Sequence, residues 1–172
     1  MAYTYDASES NGLVKEGDYE ATIERMERKV LPRSGKEKLS IMYRIRSDVY
    51  GQAYGNKCVF EDIWKERDNP SVFNRKRLNQ LMGTQEIEDG TTFETINDVI
   101  DFLLGGNLII HVCVEFDEYY GEDVNKVSFY RSSKAKPQKL EKPNQEAKAA
   151  EKNPTDVNPV QSGIVEEDDL PF

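Results

Sequence analysis

The sequence predicts a mainly β body of five antiparallel strands, with a helical insertion between strands 3 and 4 and a disordered C-terminal tail. Three observations carry that prediction. In residues 37–46, Leu39, Ile41, Tyr43 and Ile45 fall on one face and Lys38, Ser40, Met42, Arg44 and Arg46 on the other, which is the period of a half-buried strand. Two short segments of helical periodicity stand between the third and fourth strand patterns. Residues 132–165 are dominated by Lys, Pro, Gln, Asn, Ala and Glu, and their only large apolar side chains are Leu140, Val157, Val160, Ile164 and Val165. That composition buries too little apolar area to offset the entropy of ordering the chain.

The elements follow in order. Residues 1–11 read as a flexible N-terminus. A first strand spans 18–28, with Tyr19, Ala21 and Ile23 alternating inward. Residues 29–36 form a turn rich in Lys and Arg. The second strand is 37–46 and the third 57–64. A helix comes next, with Asn69 as its cap, Pro70 at its first position, Leu78, Leu81 and Met82 on one face, and Gly83 as its stop. A second helix opens at Thr95, where Asp98 three residues on makes a variant capping box. Ile96, Val99, Ile100 and Leu103 form its apolar stripe, and Gly105 and Gly106 end it. Residues 107–116 are a strongly apolar strand, 117–123 a hairpin loop, and 124–131 the last strand. The body is therefore expected over 12–131. Three strands, a helical insertion and two strands are the order of the oligonucleotide/oligosaccharide-binding (OB) fold, a five-stranded barrel.

A length of 172 residues allows one domain with appendages. No apolar run approaches a membrane span, and the first residues have neither the basic region nor the apolar stretch of a signal peptide. A cytoplasmic protein is expected. Cys58 and Cys113 are isolated and read as reduced core thiols. His111 is the only histidine and sits in an apolar run, so it reads as a strand residue. No spaced carboxylate cluster, Gly-rich phosphate loop or nucleophile–base pairing stands out, and neither an enzyme nor a cofactor is expected. Of the net charge of −9, residues 132–172 with six Lys and eight acids carry −2, and residues 1–131 carry −7. Any DNA site on such a body has to be a local basic face.

The last seven residues are Glu166, Glu167, Asp168, Asp169, Leu170, Pro171 and Phe172. Four carboxylates lead into an apolar end. Phe172 offers a large anchor whose α-carboxylate can pair with Arg or Lys beside a partner pocket. Pro171 restricts the approach, and the acids steer the tip toward a basic rim. This tip closely resembles the C-terminal tip of bacterial and phage single-stranded DNA-binding (SSB) proteins. The chain as a whole looks like the SSB-like proteins of phages infecting Gram-positive bacteria. The resemblance covers the body pattern of 12–131, the linker 132–165 and the tip 166–172. It implies coating of single-stranded DNA in the bacterial host cytoplasm, and recruitment of replication or recombination proteins by the tip. It also allows assembly as a homo-oligomer.

Single strands bind such folds through cations that track phosphates and aromatics that stack on bases. The second and third strands form the platform, flanked by the 1–2 and 4–5 loops. The candidates are Lys36 and Lys38, with Lys29 and Arg33, at the first loop, and Arg44 and Arg46 on the outward face of the second strand. Trp64 ends the third strand. Tyr119 and Tyr120 occupy the second loop among Asp117, Glu118, Glu122 and Asp123. Lys126 and Tyr130 are expected on one face of the last strand. Arg75, Lys76 and Arg77 form a separate cluster that reads as a solvated helix face. Two other functions stay open: a protein–protein adaptor whose OB-like body binds no DNA, which the acidic body favours, and an acidic DNA mimic.

Overall fold

The structure is a computed structural model and describes residues 12–137. Five antiparallel strands form one sheet: β1 (Gly17–Val30), β2 (Glu37–Ile45), β3 (Cys58–Trp64), β4 (Asn107–Asp117) and β5 (Glu122–Ser132). Their spatial order is β3-β2-β1-β4-β5. Two helices, α1 (Arg75–Met82) and α2 (Ile96–Leu103), fall between β3 and β4 in the chain, where the helical periodicities placed them. The expected N-terminus 1–11, nearly all of the linker and the tip 166–172 lie outside the described residues.

Period-2 patterning produces the core. Leu39, Ile41, Tyr43 and Ile45 of β2 are fully buried, facing Ala21 and Ile23 of β1 and Leu108, Ile110 and Val112 of β4 in the same cluster. Leu78 and Leu81 of α1 and Val99, Ile100 and Leu103 of α2 join them. Burial of each such side chain is worth about 1.5–3 kcal/mol, so this face decides the fold. β1 pairs with β4 over residues 17–22 and with β2 over 21–30. A bulge at Glu24, between Ile23 and Arg25, lets one strand serve both neighbours.

The edge strands β3 and β5 share no backbone ladder among the described residues. Side chains join them instead. Glu61, on the inner face of β3, accepts hydrogen bonds from Tyr43 Oη (2.7 Å), Tyr130 Oη (2.5 Å) and Arg77 Nε (2.7 Å). Arg77 in turn donates to the carbonyls of Val127 (2.6 Å) and Ser128 (2.9 Å) on β5. Its guanidinium also lies 4.2 Å from the centre of the Tyr130 ring. One ion pair from β3 and α1 thus satisfies two backbone carbonyls of the opposite edge.

Some boundaries differ from the sequence reading for identifiable reasons. The first helix does not begin at Asn69 and Pro70. Asn69 instead accepts from Ser71 in a turn, and Phe73 is buried in the core while bridging Lys65. The helix can start only after that anchor, so Asn74 caps it by accepting from Arg77 N at 3.1 Å. The Thr95–Asp98 capping box of α2 is present as expected. The hairpin strands β4 and β5 run further toward their turn than expected, to Asp117 and from Glu122.

Candidate nucleic-acid interface

The outward face of β1, β2 and β3 is a set of cross-strand rows. In order they are Lys29–Lys38–Trp64, Glu27–Ser40–Asp62, Arg25–Met42–Phe60 and Thr22–Arg44–Cys58. Two aromatic rings stand exposed on it, Trp64 at 42% and Phe60 at 55%. They are four residues apart on one strand face, a span of about 13 Å. Trp64 borders a cleft of about 620 Å³ lined also by Lys36, Lys65, Arg67, Glu37 and Glu66. Phe60 and Cys58 border a second groove, of about 870 Å³, whose far wall is residues 122–125 of β5. Planar rings lie between two clefts, with cations concentrated at the Trp64 end.

Those cations differ in availability. Lys36 and Arg33, in the β1–β2 turn, are exposed and make no ion pair among the described residues. Lys38 Nζ sits 2.8 Å from Asp62 and 5.4 Å from the centre of the Trp64 ring. An exposed pair of this kind is worth about 0–1 kcal/mol, so an anion can displace Asp62. Lys29 is 3.7 Å from Glu27. Arg44 is more committed. It is paired through two nitrogens with Glu24 and donates to Asn56 O at 2.8 Å. That hydrogen-bonded guanidinium holds the Glu24 carboxyl below the usual carboxylate range.

Two expected site residues are placed differently. Arg46 does not face solvent: it is 3% exposed, paired with Asp48 at 2.7 Å and donating to Lys136 O at 2.5 Å. Residues of the segment after β5 cover it, a long-range contact that strand periodicity cannot reveal. Tyr130 does not share a face with Lys126. A bulge between His111 and Val112 places Phe129 opposite His111 and Val127 opposite Val112. Ser128 is the extra residue, and it inverts the alternation. Tyr130 therefore turns inward to Glu61, where burial and that carboxylate push its hydroxyl well above the ordinary phenol range. It stays a donor at any ordinary pH. Lys126 remains outward, 3.3 Å from Glu115. The helix cluster also divides: Arg77 is committed to Glu61, Arg75 pairs with Glu66 at 3.3 Å, and Lys76 is exposed.

Tyr119 and Tyr120 cap the β4–β5 hairpin, 87% and 69% exposed, with ring centres 5.0 Å apart edge to face. Asp117 Oδ1 accepts from both of their amides, and Gly121 closes the turn with φ +70°, a conformation glycine adopts without strain. Glu115, Asp117, Glu118, Glu122 and Asp123 surround them, against Lys126 alone. The rings are accessible, but their surroundings repel phosphate.

Sequence reasoning missed Phe60 and Glu61. Phe60 was legible: Val59 and Ile63 define the inner face of β3, which puts Phe60, Asp62 and Trp64 together outside. Glu61 was not, because an acid at an inward position makes sense only once Tyr43, Tyr130 and Arg77 converge on it. Among the described residues no group of three or more His, Cys, Asp or Glu side chains could hold a metal ion, and no helix is long and apolar enough to cross a membrane.

The family described as "Protein of unknown function (DUF669)" matches residues 2–143. No curated protein matches the chain. With more than four-fifths of its length inside that match, the chain belongs to the DUF669 family.

Proposed function

We propose that this protein binds single-stranded DNA without sequence preference, on a body that is an OB-type barrel. In the same reading, the acidic tip 166–172 recruits replication or recombination proteins in the cytoplasm of a phage-infected bacterium. The observation that carries the reading is the exposed pair Trp64 and Phe60 on one strand face, bordered by Lys29, Lys36 and Lys38. Exposed rings that nothing in the body covers suit unpaired bases, whose faces a duplex hides. Neighbouring cations suit phosphates and carry no sequence information. The strand order β3-β2-β1-β4-β5 is that of a five-stranded barrel opened between β3 and β5, and the Glu61–Tyr130–Arg77 network draws those two edges together. The role is binding rather than catalysis.

One observation favours a second reading, a protein adaptor. The hairpin exposes Phe116, Tyr119 and Tyr120 among carboxylates, a surface suited to a basic protein and not to phosphate. The two readings separate in one titration. A labelled oligo-dT about thirty nucleotides long should bind the full chain at micromolar concentration or below, with affinity falling as salt rises, and a duplex of equal length should not compete. Absence of binding at low salt would leave the adaptor.

A further inference from the structure

The chain does not leave the body at the end of β5. Ser132 is the last residue of the edge strand β5, and from there the backbone turns back across the outer face of the sheet. Glu20 of β1, two strands away, receives it. Its Oε1 accepts from Lys134 N (2.7 Å) and Ala135 N (3.1 Å), and its Oε2 accepts from Ser133 Oγ (2.7 Å). Arg46, just beyond β2 and three strands away, then donates to Lys136 O at 2.5 Å. The crossing shares a pocket wall with Asn107 of β4, and Ile109, the β4 partner of Glu20, is buried although it points outward. Glu20 and Arg46 are themselves buried at 8% and 3% exposure. Two buried charged groups, one on β1 and one just past the end of β2, that bond the same four-residue segment form a built receptor for it. A free linker root would leave Glu20 and Arg46 facing water.

We infer that residues 133–136 are a strap whose function is to carry Lys134 and Lys136 to the Arg44 end of the outer face, where they extend the phosphate-binding track. This rests on the single-stranded DNA reading above. Lys134 and Lys136 are exposed, while their backbones are fixed by Glu20 and Arg46. Arg44 lies one outward position before Arg46, about 7 Å along β2. Arg44 is itself engaged by Glu24, so the strap supplies accessible charge at the end of the face where the strands do not. Glu20 and Arg46 are positioning residues: they hold the strap and touch no ligand.

The test uses the full chain and an oligo-dT about thirty nucleotides long. Replacing Lys134 and Lys136 together by Ala should weaken binding about tenfold at low salt and flatten the salt dependence by about 1.4 in the log–log slope, roughly 0.7 per lost contact on a single strand. Glu20→Ala should reproduce the weakening and also abolish hydrogen-exchange protection of the Lys134 and Ala135 amides, whereas Glu20→Gln, which keeps an acceptor, should retain both. Binding that Trp64→Ala weakens but the double lysine variant leaves unchanged would overturn the strap and leave the DNA reading standing. Failure of the unaltered chain to bind would overturn the DNA reading, and the strap's role with it. Rapid exchange of both amides in the unaltered protein would overturn the strap without any reference to DNA.

Discussion

The outer face of β1–β3 and the β4–β5 hairpin both expose aromatic rings, yet their chemistry is opposite. On the first, Trp64 and Phe60 stand beside Lys29, Lys36 and Lys38; Asp62 between the two rings is held by a weak exposed pair, and Glu37 and Glu66 line the cleft with Lys36, Lys65 and Arg67. On the second, Tyr119 and Tyr120 stand among five carboxylates and one lysine that is already paired. Ring exposure alone is thus a poor guide to what a surface binds. The charge within a Debye length, about 8 Å at physiological salt, decides whether phosphate can approach. Five carboxylates crowd the hairpin, whereas Arg33 and Lys36, exposed and without an ion pair among the described residues, stand at the Trp64 end of the other face.

The largest effect is expected at Glu61, which ties the edge strand β3 to the opposite edge β5 and so links the face to the hairpin strand directly. Glu61→Ala strands Arg77 and two tyrosine hydroxyls in a largely buried site. Loss of one partner of a buried pair costs about 3–5 kcal/mol. The melting temperature should fall by roughly 10–20 °C for a body of this size, read by circular dichroism or calorimetry. An unchanged melting temperature would show that the two edges do not depend on this network.

The next effect sharpens the contrast. Trp64→Ala with Phe60→Ala should weaken oligo-dT binding by about 2–6 kcal/mol, at roughly 1–3 kcal/mol per stacked base, with the salt slope unchanged. Lys36→Ala with Lys38→Ala should act in the complementary way. A smaller loss should come with a slope flatter by about 0.7 per contact, read from titrations at three salt concentrations. The smallest effect belongs to the hairpin. Tyr119→Ala with Tyr120→Ala should change DNA affinity by less than about twofold, as expected of surface residues away from the contact. Reversing Glu118 and Glu122 to Lys should tighten binding at low salt. If the tyrosine pair cost as much as Trp64 and Phe60, the two regions would not differ in the way described.

How much of this was legible in the sequence follows from range. The strict alternation of β2, the cap and stripe of α2 and the apolar run of β4 are local patterns, and each stands where the sequence placed it. Trp64 and Lys38 are legible for the same reason, since strand period and exposure coincide there. Tyr130 was misplaced because one inserted residue, Ser128, reverses a period-2 pattern without any compositional mark. Arg46 was misplaced because the group that buries it lies ninety residues away in the chain. Asn69 and Asn74 are equally good caps, and only the burial of Phe73 chooses between them. The tip 166–172 lies outside the described residues, and the recruiting role proposed for it rests on the sequence alone.

Trp64 is the only tryptophan in the chain, so its emission, excited at wavelengths that the tyrosines do not absorb, reports on the proposed face. The most direct measurement is a titration of the full chain with unlabelled oligo-dT, following that fluorescence together with the anisotropy of a labelled strand. The account predicts quenching that saturates at the same protein-to-DNA ratio as the anisotropy, is absent with duplex, and reverses with added salt. Strong binding by anisotropy with unchanged Trp64 fluorescence would place the DNA elsewhere on the molecule and contradict the assignment of the β1–β3 face.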